Sequence, residues 1–262
     1  MFQQKVAIVT GGANGIGRCI VESFAAKGCY TAFLDTDSEA GKRLLARLPG
    51  TSEHHLFFSG DAGKKEHLEN FAQQVIRKFG EIDFLINNVC FSRKGILSGC
   101  SYEDFCEVLN AGVAAPYFLA KLFRSRFRKG AAIVNIGSTR AFLSQKDTES
   151  YTAAKGGITA LTHALAMSLA GVARVNCISP GWIDTGAYHD DDYEPAYTPA
   201  DTAQHPSGRV GVPHDIARAV LFLCAPDSDF INGENLTIDG GMTKRMIYAG
   251  DEGWNLSSPV QN

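Results

Sequence analysis

Several things are missing from this chain. No run of about 18 apolar residues occurs, so nothing reads as a membrane-spanning helix. Neither sign of charge dominates: 25 Lys+Arg face 28 Asp+Glu, a formal charge of −3, which gives no basic field for nucleic acid. The seven cysteines are odd in number and contain no Cys-x-x-Cys pair, which argues against a disulfide framework or a thiolate zinc site. The seven histidines supply no His-x-x-x-His cluster, so no metal site is suggested. Internal repeats, low-complexity segments and composition shifts are also missing. What remains is a 262-residue chain, 45% hydrophobic and 20% charged, with ample apolar content for a buried core. Met1 leads almost directly into an apolar run without a basic leader or cleavage site, so a cytoplasmic protein with reduced, mostly buried thiols is expected.

The chain alternates. Short apolar, β-rich runs at 5–10, 30–35, 54–59, 82–87, 131–137, 173–178 and 235–238 are separated by helical patterns. Leu68, Phe71, Ala72, Val75 and Phe79 form one helical stripe over 66–79, and Ala154, Ile158, Leu161, Leu165 and Leu169 form another over 151–170. This order predicts an α/β, doubly wound parallel sheet with helices on both faces. One domain is expected over 1–245, with a lid-like loop at 183–208 and a tail at 246–262.

After the first strand comes Thr10-Gly11-Gly12-Ala13-Asn14-Gly15-Ile16-Gly17, which opens a helix. Glycines at 11, 15 and 17 let the backbone turn tightly and approach a pyrophosphate at the positive end of the helix dipole. Asp35 ends the second strand, 18 residues after Gly17. A carboxylate there accepts ribose hydroxyls and repels a 2′-phosphate, and no cation stands at Asn14 or Thr36, so NAD is expected over NADP. Asp61, with Ala62 at the end of the third strand, is placed either against adenine or as a cap for the helix at 63–79.

Tyr151 and Lys155 lie at i and i+4, on one helix face. A phenol ordinarily titrates near about 10 and is a poor base at neutral pH; an ammonium beside it stabilises the phenolate. Such a pair can take a proton from an alcohol whose carbinol hydride leaves for a nicotinamide. Ser138 follows the fifth strand, 13 residues before Tyr151, and can donate to the substrate oxygen.

Together these residues resemble the short-chain dehydrogenase/reductase family, from Thr10 to about Gly241. The glycine string is similar to the family's cofactor loop, and Asn87-Asn88 to the start of its Asn-Asn-Ala-Gly motif, read here as Asn87-Asn88-Val89-Cys90. Asn110, Ser138, Tyr151 and Lys155 resemble its catalytic set. Pro180-Gly181-Trp182-Ile183-Asp184-Thr185 resembles the motif that holds the nicotinamide amide, and Arg209-x-Gly211-x-Pro213 and Asp239-Gly240-Gly241 resemble its C-terminal signatures. The resemblance implies strand order 3-2-1-4-5-6-7, a homotetramer or homodimer, and alcohol/ketone chemistry on a small molecule. It further implies that Lys155 binds the nicotinamide ribose and that Asn110 holds a water of a proton relay. Enoyl reductases of similar fold would space Tyr and Lys more widely than four.

The substrate is less legible. Arg140 could meet an anion, and Trp182, Tyr188 and Tyr193 could offer apolar faces to a ring, whereas His189-Asp190-Asp191-Asp192 in the lid suggests the opposite charge preference. The tail, with Trp254, is expected to pack across a subunit interface near a neighbouring lid. A non-catalytic dinucleotide sensor on the same fold is the rival reading; a sugar-nucleotide epimerase would need a larger substrate domain.

Overall fold

The computed structural model describes residues 1–51, 53–246 and 248. Its strands are β1 (Val6–Thr10), β2 (Tyr30–Asp35), β3 (His55–Ser59), β4 (Ile82–Asn87), β5 (Phe127–Ile136), β6 (Ala173–Pro180) and β7 (Asn235–Ile238). They form one sheet in the order β3-β2-β1-β4-β5-β6-β7, every neighbouring pair parallel. The Rossmann-type order expected from the sequence is the order found. β5 begins earlier than its apolar signal, because residues 127–130 are partly or fully exposed and only from Ala131 does the strand enter the core.

The helices are α1 (Gly15–Ala26), α2 (Ser38–Arg47), α3 (Lys65–Phe79), α4 (Tyr102–Leu109), α5 (Ala115–Phe123), α6 (Glu149–Ser168), α7 (Pro199–Ala203) and α8 (Pro213–Cys224). Central strands buried on both faces need cover on both. Ile20, Val21 and Phe24 of α1, Leu44 of α2 and Val220 of α8 fill one side of the sheet. Leu68, Phe71 and Val75 of α3, Leu119 and Phe123 of α5, and Leu165 of α6 fill the other. Between α4 and α5 the helix widens into a single π turn, Asn110–Ala114. The 183–208 segment contains a 3₁₀ turn, Gly186–Tyr188, and the short α7, whose start is closed by a capping box between Thr198 and Asp201. Among the described residues no helix is long and apolar enough to cross a membrane. The tail expectation, including Trp254, lies outside the described residues.

Two buried polar devices lock the sheet. At the site end, the Asn87 amide donates to Asn135 Oδ1 at 2.8 Å, and Asn135 donates to Thr162 Oγ1 at 2.9 Å, tying β4 and β5 to α6. At the opposite end, buried Asp83 accepts from Lys5 at 2.8 Å, Arg128 at 2.9 Å and the Val6 amide at 2.8 Å. The chain order reverses at β1, whose neighbours are β2 and β4, so the crevice of an open α/β sheet opens above β1 and β4.

Candidate active site

The loop after β1 is shaped for close approach. Gly11 and Gly15 take φ of +64° and +57°, the left-handed region that glycine adopts without strain. A Cβ on Gly17 would lie 1.9 Å from the Gly11 carbonyl oxygen, so only glycine lets α1 start beneath that turn. Asn88 braces the loop from β4: its side-chain amide donates to the Thr10 and Gly11 carbonyls at 3.2 and 3.0 Å. The free amides at the start of α1 are thus presented to an anion.

Asp35 sits beside this loop. Its two oxygens accept the backbone N–H groups of Ala13 at 2.9 Å and Asp37 at 3.0 Å, and Asn14 donates to Asp37 at 3.0 Å. Asp61 accepts the Gly63 amide at 2.7 Å in the turn before α3, but the N-cap of that helix is Lys64, so Asp61 is not its cap. Neither Asp61 nor buried Ala62 lines the main cavity. A smaller cavity of about 260 Å³ next to Asn14 brings together Arg18, Arg43 and Arg47 under His189, Asp190 and Asp191. Sequence reasoning had missed this arginine cluster; its one local sign is the i, i+4 spacing of Arg43 and Arg47 on α2.

The main cavity, about 770 Å³, is of the size that ligand pockets have. Asn14, Gly15, Ile16, Asn88, Ser138, Arg140, Tyr151, Lys155, Pro180, Gly181, Trp182, Ile183 and Thr185 all line it. Ser138, two residues past the end of β5 and in an extended conformation, caps the 3₁₀ turn Thr139–Ala141; its Oγ accepts the Arg140 N–H at 3.1 Å, leaving its own proton to donate. Lys155 is buried, its Nζ donating to the Ile136 carbonyl at 2.7 Å and lying 5.5 Å from the centre of the Tyr151 ring. The Arg140 guanidinium carbon lies 5.7 Å from the same ring. Ser92, Gln145, Gln204 and Met242 also line it; no motif in the sequence marks the last two.

Asn110 opens the π turn that leads into α5. It is exposed at the start of the π turn and is not part of the cavity wall. Ala111 and Gly112 of that turn are buried, and a Cβ on Gly112 would meet Ala154 Cβ at 3.0 Å and Cys90 Sγ at 3.1 Å. Cys90, which lines the cavity, occupies the space over Gly112. Burial pushes its thiol up from the ordinary value, partly offset by the Lys155 charge.

The segment after β6 closes the site. Ile183 bridges to Gly211 in parallel, and the Asp184 amide donates to the Gly211 carbonyl at 2.9 Å. Asp184 is held by the hydroxyls of Tyr193, at 2.9 Å, and Tyr197. Farther along, Asp191 accepts from Arg47 at 2.9 Å and Arg18 at 3.4 Å, strapping the lid to α2 and α1.

A family model described as Enoyl-(Acyl carrier protein) reductase matches residues 11–243. An uncharacterized oxidoreductase of Thermotoga maritima is 38% identical, the match covering 95% of this chain and 99% of the relative. The L-fucose dehydrogenase of Mus musculus is 35% identical, covering 92% and 89%. Among solved structures, an apo SCOR enzyme from Clostridium thermocellum is 43% identical with a TM-score of 0.88, covering 97% of this chain and 98% of the other. With the glycine loop, the parallel sheet and the Tyr151–Lys155 helix in one crevice, the chain belongs to the short-chain dehydrogenase/reductase family of oxidoreductases.

Proposed function

We propose that this protein interconverts a secondary alcohol and a ketone with NAD(H), using Tyr151 as acid and base. The observation that carries the reading is the buried Lys155 ammonium, pinned to the Ile136 carbonyl and set against the Tyr151 ring in the same cavity as Ser138. The phenol, with the ammonium beside it, can take the carbinol proton and return it in the reverse direction. Ser138 donates its hydroxyl proton to the substrate oxygen. Lys155 has further donors to offer a ribose hydroxyl. The backbone of Gly11–Gly17 and the first turn of α1 would hold the pyrophosphate, Asp35 the adenosine ribose, and Pro180, Gly181, Ile183 and Thr185 the nicotinamide amide. The nicotinamide, when bound, supplies the hydride acceptor or donor.

The Tyr–Lys spacing of four favours alcohol chemistry over enoyl reduction. NAD is favoured because the Asp35 and Asp37 carboxylates flank the ribose side of the loop and repel a 2′-phosphate. One observation supports the alternative, NADP: Arg43 shares the small cavity beside Asn14, although Arg18 and Arg47 there are already engaged by Asp191. We also place residues 1–245 in one dinucleotide-binding domain that assembles as a homodimer or homotetramer, which light scattering checks. The direct test is a turnover screen with NAD and with NADP over sugars, polyols, steroids, hydroxy acids and 3-hydroxyacyl thioesters. Expected is turnover with kcat/KM for NAD at least about tenfold above NADP, a gap of some 1.4 kcal/mol. A reversed preference would overturn the cofactor assignment. Flat rates with tight NADH binding would favour a non-catalytic dinucleotide sensor.

A further inference from the structure

We infer that the substrate carries an anionic group, a carboxylate one or two carbons from the reacting carbinol, and that Arg140 reads it. The inference rests on Tyr151 as the reacting acid/base. It begins from a charge imbalance: the cavity wall contains two cations, Arg140 and Lys155, and among the described residues no Asp or Glu. Lys155 is committed to the Ile136 carbonyl and faces the phenol. Arg140 is half-buried, and among the described residues it forms no ion pair; its guanidinium donates only to the neutral Gln145 side-chain oxygen.

Candidate partners exist close by in sequence, and the fold turns them away. Asp147 accepts the backbone amides of Leu97 and Ser98, and Glu149 that of Ile96, so both serve the 95–98 loop. The acidic residues of the lid, which from sequence suggested the opposite charge preference, do not line this cavity. Asp191 straps Arg47 and Arg18, Asp184 is held by two tyrosines, and Asp190 lines the other cavity. A partly desolvated guanidinium left with a neutral partner is a site for a planar anion, which it can grip in a bidentate way. Its place fixes the spacing. Arg140 lies over the Tyr151 ring, 5.7 Å from its centre, and follows Ser138 by two residues, its backbone N–H donating to Ser138 Oγ. A carboxylate on Arg140 therefore sits beside a carbinol oxygen held between Ser138 and Tyr151, as in a 2- or 3-hydroxy acid. Gln145 and Gln204 offer neutral donors to the same group.

The test compares lactate, 3-hydroxybutyrate and malate with their methyl esters, in the wild type, Arg140→Gln and Arg140→Lys. At least one free acid should exceed its ester in kcat/KM, and R140Q should lose about 10- to 100-fold more on the acid than on the ester. R140K should recover part of that loss, which separates charge recognition from a folding defect. A binding arm stands apart from turnover: acetoacetate and its methyl ester are titrated against the NADH-loaded Tyr151→Phe protein, with and without R140Q. Acetoacetate binding that depends on Arg140 supports the inference even if no alcohol is oxidised, in which case the catalytic proposal alone fails. Equal treatment of acids and esters, or an acid preference that survives R140Q, overturns the inference and leaves the alcohol/ketone reading standing.

Discussion

Single atoms decide whether the glycine loop can work. The Cβ of a Gly17→Ala variant would have to occupy space 1.9 Å from the Gly11 carbonyl, and that neighbour is backbone, which cannot swing aside. Loss of dinucleotide binding is expected, with the sheet still folded; NADH fluorescence titration beside circular dichroism checks it, and normal binding would refute the cradle. Cys90 offers a second probe. Burial raises its pKa above the ordinary thiol value of 9.0, so iodoacetamide should modify it slowly at neutral pH and faster as pH rises. Because Cys90 lines the cavity, NADH should slow the reaction further. Fast modification at neutral pH, indifferent to NADH, would contradict this placement.

At the scale of elements, the lid is fastened by charge. Asp191 reaches Arg47 and Arg18, and above Gly15 the nearest side chains are those of His189 and Thr185. The strap thus crosses the face where the dinucleotide would lie. Asp191→Asn should speed NADH release at low salt, and the difference from the wild type should shrink as ionic strength rises, because these charges are exposed and screened. Stopped-flow release rates at two salt concentrations measure it; rates unaffected by the variant at low salt would show that the strap does not hold the cofactor. The π turn is the other telling element. The resemblance assigns Asn110 a relay water, and Asn110 opens this turn; the turn itself comes from backbone hydrogen bonding and has no side-chain signature in the sequence. The glycine loop, the strand ends and the Tyr151–Lys155 face were legible because each is written in neighbouring residues. The arginine cavity and the lid strap were not, since they join residues more than 140 positions apart.

For the whole molecule, stability and site lie at opposite ends of the sheet. Asp83 joins the starts of β1, β4 and β5 through Lys5, Val6 and Arg128, far along the strands from Ser138 and Asn88. Asp83→Asn should cost about 2–4 kcal/mol, because it leaves two cations without their buried partner. Thermal or urea unfolding measures the loss, and turnover per folded molecule should stay unchanged. Acid should weaken the fold in a definite direction. The Arg209 guanidinium holds the Asp215 carboxyl below its ordinary value, so the stability it adds is present above the ordinary carboxylate range and lost as pH falls through the lowered value. The overall order of strands was readable because alternating apolar runs and helical stripes admit few topologies. The polar start of β5 was not, having no hydrophobic period to announce it.

The central claim concerns one phenol and the amine beside it. The measurement that meets it most directly is steady-state turnover of Tyr151→Phe on the best substrate, set beside its NADH dissociation constant. Turnover should fall by about 100- to 10,000-fold, the usual worth of a positioned general acid or base, while NADH binding stays near the parental value. Turnover within a few-fold of wild type in a protein that still binds NADH would contradict the account.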